Sequence, residues 1–571
     1  MTGNPAQVSA YRPPRHPAPI DLDLSGGERS TDCARLEDLL AAIDADTLRC
    51  YPKSAALEQA YAQHVGQPFD RVYATAGADE AIDRLCRAFV SPGGNVVCPW
   101  PCFEMIPRYV ALAGGELRAV EWAAGEFPVS RLLEAVDART QLVVIVTPSN
   151  PTGGVATEAD IERVAGAVPH ATVLVDLAYG EFADGDLTAT ALRFPNVVVT
   201  RTLSKAWGLA GLRVGFALGQ PDRLALLRAA GGPYSVSGPA LAVASRALEC
   251  GAQAQHEHVV EVRRERVRLE QQAHSLGWSA EPSQGNFVLW RGRGPQWLRD
   301  GLAGLGIGVR IFPDTPALTD AVRITCPGEP VRFRRLETAV ASVLAPQAVL
   351  FDMDGVLADV SQSYRAAIVE TARSFGIELS AGDVEAEKLR GDANDDWALT
   401  HRLVAARGGT ATLAEVTARF EALYQGTNGE PGFRARERLI PSRAFLERLR
   451  MRVRTGIVTG RPRQDAFRFL RDHGIEALFD VVVCREDAPL KPDPAPLRLA
   501  LDCLSEPDHL CERAWYVGDT PDDITAARKA SLVPLAIAPP GADRVTMDPK
   551  LLAVGAARAL DTVDSLEELL P

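Results

Sequence analysis

Several features are missing from this 571-residue sequence, and each absence excludes a class of protein. No apolar run is long enough to span a bilayer. Positive charge is not in excess: 61 Lys and Arg face 74 Asp and Glu, which argues against a nucleic-acid-binding surface. The ten cysteines contain no Cys-x-x-Cys pair, as is typical of reduced thiols, and residues 1–19 lack the apolar core of a secretory signal. We therefore expect a soluble, cytoplasmic protein that binds neither nucleic acid nor membrane.

The length of the chain predicts more than one domain, about two to four, because a single hydrophobic core does not grow this large. The first half alternates short β-branched runs with amphipathic segments, a pattern that predicts a parallel α/β sheet. Polar side chains follow three of these strand candidates, namely Asn150, Asp176 and Lys205. Because sites in such sheets lie at the carboxyl ends of the strands, we expect these three residues in one site.

Lys205 stands among apolar and small residues rather than among charges, beside Thr202 and Ser204 and ahead of Arg213. A partly desolvated lysine is a neutral amine that can form a Schiff base. Two hydroxyls and a guanidinium are suited to a phosphate monoester. An aldehyde-capturing amine beside phosphate donors indicates pyridoxal 5'-phosphate (PLP). An ordinary strand-to-loop junction with one exposed lysine is the alternative.

Other polar residues of the first half fit the same cofactor. Asp176 ends an apolar strand, where a carboxylate is costly to bury unless a cation, such as a protonated pyridine nitrogen, meets it. Tyr179 and Asn150 are within reach of a phenolate oxygen, and Phe103 is a candidate for stacking on the ring. The turn Gly77-Ala78-Asp79 presents backbone N–H groups at a helix start, a natural phosphate cradle. Structural roles in turns and core are the alternative for each residue alone.

Together the motifs Ser149–Gly153, Val175–Tyr179 and Thr202–Lys205 through Arg213 resemble fold-type I PLP aminotransferases, most closely the histidinol-phosphate aminotransferase branch, over most of residues 1–345. The resemblance implies a large α/β domain (about 45–250) and a small subdomain (1–44 and 255–345). It implies that Lys205 is the Schiff-base lysine and proton carrier. The implied cofactor contacts are Asp176 at the pyridine nitrogen, Asn150 and Tyr179 at the phenolate oxygen, Phe103 at the ring, and Ala78, Asp79, Thr202, Ser204 and Arg213 around the phosphate.

The same resemblance extends to the substrate. It implies that Arg323 holds the substrate's anionic group with help from Arg310, and that Tyr51 reaches into the neighbouring subunit of a homodimer formed through this domain. Two departures leave the amino donor open. The chain has Leu24–Glu28 where the branch carries an Asn-Glu-Asn-Pro-like segment, and Phe103 where it usually has tyrosine.

A second pattern begins after residue 345. The apolar run Ala348–Phe351 leads directly into Asp352-Met-Asp354, and two adjacent carboxylates call for a cation such as Mg²⁺. Three later strand candidates are followed by polar groups as well, which are Thr459, Lys491, and Asp519 with Asp523. A nucleophilic carboxylate, a hydroxyl, a lysine and metal-binding acids are the groups that phosphoryl transfer needs.

This ordered set resembles the haloacid-dehalogenase (HAD) superfamily across residues 347–571 and implies a Rossmann-like domain with an α-helical cap at about 361–440. The implied roles are Asp352 as the nucleophile that forms an aspartyl-phosphate, Asp354 as general acid/base, Thr459 and Lys491 as ligands of the phosphoryl oxygens, and Asp352, Asp354, Asp519 and Asp523 as the Mg²⁺ site. In the cap, Arg390 and Trp397 are candidates for touching substrate, with the cap core as the alternative place for Trp397.

The sequence thus predicts a bifunctional enzyme. One site transaminates a small, histidinol-phosphate-like amino compound with a 2-oxo acid as acceptor, and the other hydrolyses a phosphate monoester. Alternatives are a PLP decarboxylase similar to threonine-phosphate decarboxylases, or a transaminase of another amino acid beside an independent phosphatase. A PLP-fold transcription regulator would need a basic helix-turn-helix region, which this acidic chain does not provide.

Overall fold

The computed structural model describes residues 8, 10, 15–29, 36–391, 393–427, 431–506 and 509–570. The chain forms two compact units. The first includes Asp23–Pro295 and Val309–Arg335, and the second includes Arg15–Leu22, Gln296–Gly308 and Leu336–Pro571. Short segments of the first half of the chain therefore fold with the second unit, and the module boundary at 345–347 stays a prediction.

Strands and helices alternate through most of the chain, which confirms the predicted α/β class. The strands are β1 (Leu22–Asp23), β2 (Val72–Thr75), β3 (Asn95–Trp100), β4 (Glu116–Glu121), β5 (Thr140–Val146), β6 (Thr172–Asp176), β7 (Val197–Thr202), β8 (Gly215–Gly219), β9 (Ser279–Glu281), β10 (Phe287–Arg291), β11 (Ile307–Gly308), β12 (Arg310–Ile311), β13 (Ala321–Thr325), β14 (Ala348–Phe351), β15 (Ala358–Asp359), β16 (Arg438–Leu439), β17 (Arg454–Val458), β18 (Val481–Val483), β19 (Ala514–Gly518), β20 (Val533–Ile537) and β21 (Arg558–Leu560).

The helices are α1 (Leu36–Leu40), α2 (Ala45–Arg49), α3 (Ala55–His64), α4 (Gly77–Phe89), α5 (Met105–Leu112), α6 (Val129–Glu134), α7 (Glu158–Ala167), α8 (Thr188–Ala191), α9 (Pro221–Ala229), α10 (Gly238–Cys250), α11 (Ala252–Ser275), α12 (Pro295–Gly304), α13 (Pro330–Leu344), α14 (Tyr364–Ser374), α15 (Ala381–Lys388), α16 (Asp396–Ala406), α17 (Leu413–Gln425), α18 (Arg443–Arg450), α19 (Arg463–Asp472), α20 (Ala495–Leu504), α21 (Pro521–Lys529) and α22 (Arg544–Val554).

A seven-stranded sheet forms the centre of the first unit, in the order β2-β8-β7-β6-β5-β3-β4. Its strands are parallel except β8, which is antiparallel to both of its neighbours. Strands β6 and β7 are buried along their whole length, as a sheet covered by helices on both faces requires. In the ladder Asp176 lies opposite Val146 on one side and Thr200 on the other, so the carboxyl ends of β5, β6 and β7 meet at one edge.

Two smaller features complete the first unit. Helices α4, α5 and α9 contribute apolar residues to a core that also takes side chains from β3 and β5, including Ile82, Leu85, Ile106, Leu142 and Leu224. A separate antiparallel sheet has the order β12-β13-β10-β9. In that sheet Arg310 and Arg323 are direct cross-strand partners.

The second unit contains a six-stranded parallel sheet in the order β18-β17-β14-β19-β20-β21. Strand β14 lies between β17 and β19, and Phe351 is in register with Ile457 and Val517. The residues that follow these three strands therefore meet at one edge. Helices α14–α17 come between β15 and β16, which pair with each other, so the helical insertion lies where the sequence predicts a cap.

The described residues near the N-terminus carry little regular structure. Residues 15–20 form neither helix nor strand, and the short helix α1 begins directly after residues 30–35, which include Cys33 and lie outside the described part. The nine cysteines of the described part are free thiols, and no described helix combines the length and the apolar character needed to cross a membrane.

Candidate active sites

Lys205 lies on the loop after β7 and is half-buried. Its Nζ donates a hydrogen bond to the carbonyl oxygen of Gly26 at 3.0 Å and lies 5.5 Å from the centroid of the Tyr179 ring. Within the described residues it forms no ion pair. An amine whose partner is a neutral carbonyl is not fixed by charge and can exchange that partner for a ligand.

Asp176 ends β6 and is only 3% exposed. Thr200 Oγ1 and the Ala178 N–H donate to it at 2.8 and 3.2 Å, and both bonds go to Oδ1. Burial raises the pKa of this carboxyl to about 6, partly opposed by the two hydrogen bonds and by the Lys205 ammonium. Lys205 is therefore close enough to Asp176 to favour its charged form, and no described cation pairs directly with Asp176.

An N-terminal strap, residues 23–28, contacts Lys205 through Gly26 and contains the whole segment, Leu24–Glu28, that departs from the aminotransferase pattern. Gly27 has φ +67°, and a Cβ there would lie 3.2 Å from Tyr179 Oη and 3.6 Å from Lys205 Nζ. Asn286 donates to the Gly27 carbonyl at 3.0 Å, while its own buried Oδ1 has no donor among the described residues. The strap thus closes a space beside Lys205 that only glycine leaves open.

Arg323 joins the strap to the loop after β5. Its guanidinium donates to Asn150 Oδ1 and to the Ser25 carbonyl, and it lies over the Phe287 ring, 5.2 Å from the centroid. Tyr179 packs edge-on against the same ring. Arg323, Asn150 and Tyr179 therefore lie in one neighbourhood, as the resemblance implies.

The residues expected around a phosphate meet at the start of α4. Arg213 donates to Ser204 Oγ at 3.4 Å and to Asp79 at 2.8 Å, and the Thr202 hydroxyl donates to Ser204 at 2.9 Å. Gly77 has φ +78°, and a Cβ on it would lie 2.6 Å from Arg213 Nη2, so a glycine is required. The structure brings together all five expected residues: Ala78, Asp79, Thr202, Ser204 and Arg213. A helix start, two hydroxyls and a guanidinium form a fitting anion site.

Three other residues expected in the first site, Phe103, Arg310 and Tyr51, have no described contact with Lys205 or Asp176. Phe103 is partly buried and packs against the core. Arg310, the neighbour of Arg323 in the ladder, already pairs with both oxygens of Glu104, at 2.8 and 2.9 Å. Tyr51 is 78% exposed and stacks on Tyr234, with ring centroids 4.8 Å apart.

The second site is built around a buried lysine. Lys491 is 4% exposed, and its Nζ donates to Asp352 at 2.7 Å, Asp523 at 2.6 Å and Tyr516 Oη at 2.8 Å. Burial alone would lower the pKa of Lys491, but the two carboxylates outweigh burial and hold the pKa well above its usual value. This lysine is fixed as a positive charge.

Three carboxylates, Asp352, Asp519 and Asp523, have oxygens that all lie within 4.8 Å of one another. Burial raises the pKa of Asp352 well above its usual range, and burial with repulsion from Asp523 raises that of Asp519 to about 7. Burial would also raise the pKa of Asp523, yet Lys491 and hydrogen bonds hold it below the usual value. The raised pKa values of Asp352 and Asp519 show that negative charge on these two carboxylates is disfavoured without a cation beside them, so a bound cation would stabilise it, and hard carboxylate oxygens suit Mg²⁺.

Asp354 and Thr459 are linked by a residue that the sequence reasoning missed. Arg461 is 2% exposed; its Nε donates to Asp354 at 2.5 Å and its backbone N–H to Thr459 Oγ1 at 3.1 Å. Its other nitrogens bind both oxygens of Glu437, at 2.9 and 3.1 Å. The Asp354 carboxylate is thus turned toward Arg461, and it is not one of the three clustered carboxylates. Its position two residues after Thr459 was the available signal for Arg461.

The cap residues named from the sequence are placed differently from each other. The Arg390 side chain is 76% exposed and pairs with Glu387 on the same turn. The Trp397 indole donates to Glu421 at 3.0 Å, and Arg485 lies over its ring at 4.4 Å. Two other cap residues, Arg365 and Lys388, act electrostatically on Asp519 of the carboxylate cluster, and a third, Asp396, interacts with Lys388 and Asp354.

Family models match both halves of the chain. Residues 22–336 match the family described as aminotransferase class I and II, and residues 346–531 match the haloacid dehalogenase-like hydrolases. These matches agree with the two resemblances found in the sequence.

Individual relatives share parts of the chain. A histidinol-phosphate aminotransferase of Symbiobacterium thermophilum is 35% identical over 304 residues, which are 52% of this chain and 82% of that protein. An aromatic amino acid aminotransferase of Corynebacterium glutamicum is 33% identical over 308 residues, which are 50% of this chain and 89% of that protein. An imidazoleglycerol-phosphate dehydratase of Phytophthora nicotianae is 48% identical over 200 residues, which span 34% of this chain and less than half, 44%, of that protein. The structure of a histidinol-phosphate aminotransferase from Sinorhizobium meliloti with PLP has a TM-score of 0.52 at 25% identity (57% of this chain, 91% of that one).

Proposed function

Because the chain belongs to the aminotransferase class I and II family and carries a haloacid dehalogenase-like hydrolase region, we propose that it performs two reactions at two sites. Residues 1–345 would transaminate a histidinol-phosphate-like amino compound with PLP and a 2-oxo acid acceptor. Residues 347–571 would hydrolyse a phosphate monoester with Mg²⁺.

The fit of the first site to PLP depends chiefly on Asp176. Both of its hydrogen bonds go to Oδ1, it is buried, and it has no cationic partner in the described part, so its charge calls for a cation from a ligand. A pyridine nitrogen supplies that cation, and the cluster of Ser204, Arg213 and the α4 start suits the cofactor's phosphate. When bound, PLP acts as an electron sink that acidifies the substrate Cα–H bond.

The residues of the first site would then divide the work. Lys205 Nζ would hold the cofactor and carry a proton to and from the substrate carbon, after giving up its bond to Gly26. Asn150 and Tyr179 would orient the ring from its phenolate side. Arg323 would bind the substrate's anionic group in place of the Ser25 carbonyl, which now accepts from it.

The second site would work by nucleophilic catalysis. An Asp352 oxygen attacks phosphorus, the bond to the ester oxygen breaks, and Asp354 protonates the departing alcohol; water then releases inorganic phosphate from Asp352. Lys491 and Thr459 would hold the phosphoryl oxygens. Asp352, Asp519 and Asp523 would supply hard oxygens for Mg²⁺, whose charge would neutralise the cluster when bound. Asp354, the fourth acid predicted for this metal site, pairs through its carboxylate with Arg461.

A histidinol-phosphate-like substrate would use both sites in turn, because the amino phosphate ester formed by the first is a substrate for the second. A relative named histidinol-phosphate aminotransferase, and one named imidazoleglycerol-phosphate dehydratase, support this assignment. The test supplies histidinol phosphate, 2-oxoglutarate and Mg²⁺ to the full chain and follows glutamate and inorganic phosphate separately. We expect both products, with Lys205→Ala abolishing glutamate only and Asp352→Asn abolishing phosphate only.

An aromatic amino acid is the second candidate for the first site, since relatives so named match as well. If phenylalanine yields glutamate with 2-oxoglutarate and histidinol phosphate does not, this candidate replaces the first and the phosphatase stands alone. Glutamate formation that persists in Lys205→Ala would overturn the assignment of Lys205. Phosphate release that persists in Asp352→Asn would overturn the assignment of Asp352.

We also propose a cytoplasmic homodimer formed through the aminotransferase module. The observation in support is the stack of Tyr51 on Tyr234, two aromatic rings that are 78% and 54% exposed. Light scattering of the full chain tests the dimer, and Tyr51→Ala is expected to weaken PLP or substrate binding if the ring completes the neighbouring site. A monomer at micromolar concentration would contradict this assignment.

A further inference from the structure

Each of three consecutive cap helices contributes one charged side chain near the carboxylate cluster. Arg365 is on α14, Lys388 ends α15, and Asp396 begins α16. The positive charges of Arg365 and Lys388 both lower the pKa of Asp519, and the negative charge of Asp354 raises the pKa of Asp396. Three charged side chains of the cap, Arg365, Lys388 and Asp396, therefore lie near the site proposed for phosphate ester hydrolysis.

Two of these three residues, Lys388 and Asp396, form an ion pair with each other. Lys388 Nζ lies 3.0 Å from Asp396 Oδ1, and their side chains are 14% and 11% exposed. Burial would raise the pKa of Asp396 and lower that of Lys388, and each charge opposes the effect of burial on its partner. Because Lys388 and Asp396 pair with each other in a buried position, neither is a good candidate for binding the substrate.

Arg365 is different because its charge has only a weak partner. Its Nη2 lies 3.5 Å from Asp519 Oδ2, its side chain is 15% exposed, and its buried Nε has no acceptor among the described residues. A guanidinium has five N–H donors in a planar fork that matches phosphate. Most of the binding capacity of Arg365 is therefore unused.

Asp519, the only ion-pair partner of Arg365 among the described residues, is also a group that a metal ion would bind. Asp519 belongs to the three clustered carboxylates, so a cation bound there competes with Arg365 for the carboxylate. The cap already contacts the sheet domain: Asn394 donates to Asp522 and to the Lys491 carbonyl, both at 2.9 Å. Arg365 is thus held at the site in this arrangement rather than brought there by a later movement.

Resting on the proposed phosphatase function, we propose that Arg365 is a substrate-binding residue whose guanidinium holds the phosphoryl group of the ester. Arg390, the cap arginine that the sequence suggested, does not share this role, since its side chain is 76% exposed and already paired with Glu387. The phosphoryl group would give Arg365 the charge-assisted acceptor that its unpaired nitrogens lack.

The test measures binding of inorganic phosphate to the full chain by calorimetry at saturating Mg²⁺, beside KM and kcat for a phosphate ester. We expect Arg365→Gln to weaken phosphate binding about tenfold or more, the loss of one charge-assisted hydrogen bond. Arg365→Lys should recover part of that loss, since it restores the charge without the fork. Arg390→Gln, the matched control on the cap surface, should bind phosphate as the unsubstituted chain does.

Unchanged phosphate affinity in Arg365→Gln would overturn the inference and leave Arg365 as a positioning residue for Asp519. Magnesium affinity of the phosphate-free chain separates the two roles. Loss of a residue that positions Asp519 weakens that affinity, whereas loss of a phosphoryl ligand leaves it equal or makes it tighter, because a competing guanidinium is gone. If the unsubstituted chain hydrolyses no ester, the proposed function fails, but the calorimetric comparison still decides the role of Arg365.

Discussion

The two candidate sites each depend on a lysine, and the two lysines are held in opposite ways. Lys205 is half-buried and bonds to one neutral carbonyl, whereas Lys491 is 4% exposed and bonds to two carboxylates and a phenol. The carboxylates on which the two lysines act differ accordingly: Asp176 has no ion-pair partner in the described part, whereas Asp523 pairs with Lys491 at 2.6 Å. The first site holds its lysine by a single carbonyl that a ligand can displace, and the second fixes its lysine between carboxylates as a permanent positive charge.

Replacing each lysine by methionine tests this difference most strongly. Lys491→Met leaves Asp352 and Asp523 buried without their cation, a change that costs about 3–5 kcal/mol. Lys205→Met loses one hydrogen bond to a carbonyl, which costs about 1 kcal/mol. Urea unfolding of the full chain, followed by a probe in each unit, should show the large loss only in the second unit and only for Lys491→Met.

A control variant separates lost charge from lost packing. Adding Asp352→Asn to Lys491→Met removes one of the stranded carboxylates and should recover part of the stability. If Lys491→Met destabilises no more than Lys205→Met, the cluster is not held together by charge and the contrast between the two sites is wrong.

The same contrast predicts opposite responses to pH in the ligand-free chain. Burial raises the folded pKa of Asp176 from about 3.8 to about 6, so the folded state holds the proton in that interval and this contribution to stability is lost as pH rises through 6. Lys491 lowers the folded pKa of Asp523, so its contribution is present above the unfolded pKa and is lost as pH falls through the lower folded value.

Asn substitutions isolate these two contributions. Asp176→Asn should flatten the decline of unfolding free energy between pH 4 and 6 by at most about 3 kcal/mol, and Asp523→Asn should reduce the loss of stability at acid pH. Chemical unfolding at several pH values measures both. Equal slopes for Asp176→Asn and the unsubstituted chain would show that Asp176 titrates as an ordinary carboxyl.

Much of the fold follows from the sequence pattern, because short apolar β-branched runs such as Val197–Val199, alternating with amphipathic segments, are typical of buried strands in an α/β sheet. Within each sheet, residues at the carboxyl ends of such strands lie at one edge because the strands are parallel. Asp176 is at that edge in the first unit, and Asp352 and Asp519 are at that edge in the second. Their neighbourhoods were therefore predictable without coordinates, although their roles remain proposals.

Partners brought in by tertiary packing were not predictable in this way. Arg461 binds Asp354 and Glu437, which are 107 and 24 residues away in the chain, and Arg365 approaches Asp519 across 154 residues. Arg310 was expected to help bind substrate, yet it pairs with Glu104 from another element. A single sequence shows that an arginine is present but not which carboxylate reaches it.

The strap over Lys205 was noticed only as a departure from a family pattern, and the structure gives it a steric role that a small substitution can measure. A Cβ on Gly27 would lie 3.2 Å from Tyr179 Oη and 3.6 Å from Lys205 Nζ at φ +67°, so Gly27→Ala forces the strap outward or narrows the site. Gly26→Ala is the matched control: its Cβ would meet only the flexible Glu28 side chain, at 3.3 Å or more.

We expect Gly27→Ala to weaken PLP or amino-substrate binding about tenfold and Gly26→Ala to change it less than about twofold, measured by absorbance titration and KM. Equal effects of the two substitutions would mean that the strap does not define the space beside Lys205, and the free amine of the first site would then depend on Tyr179 and Asp176 alone.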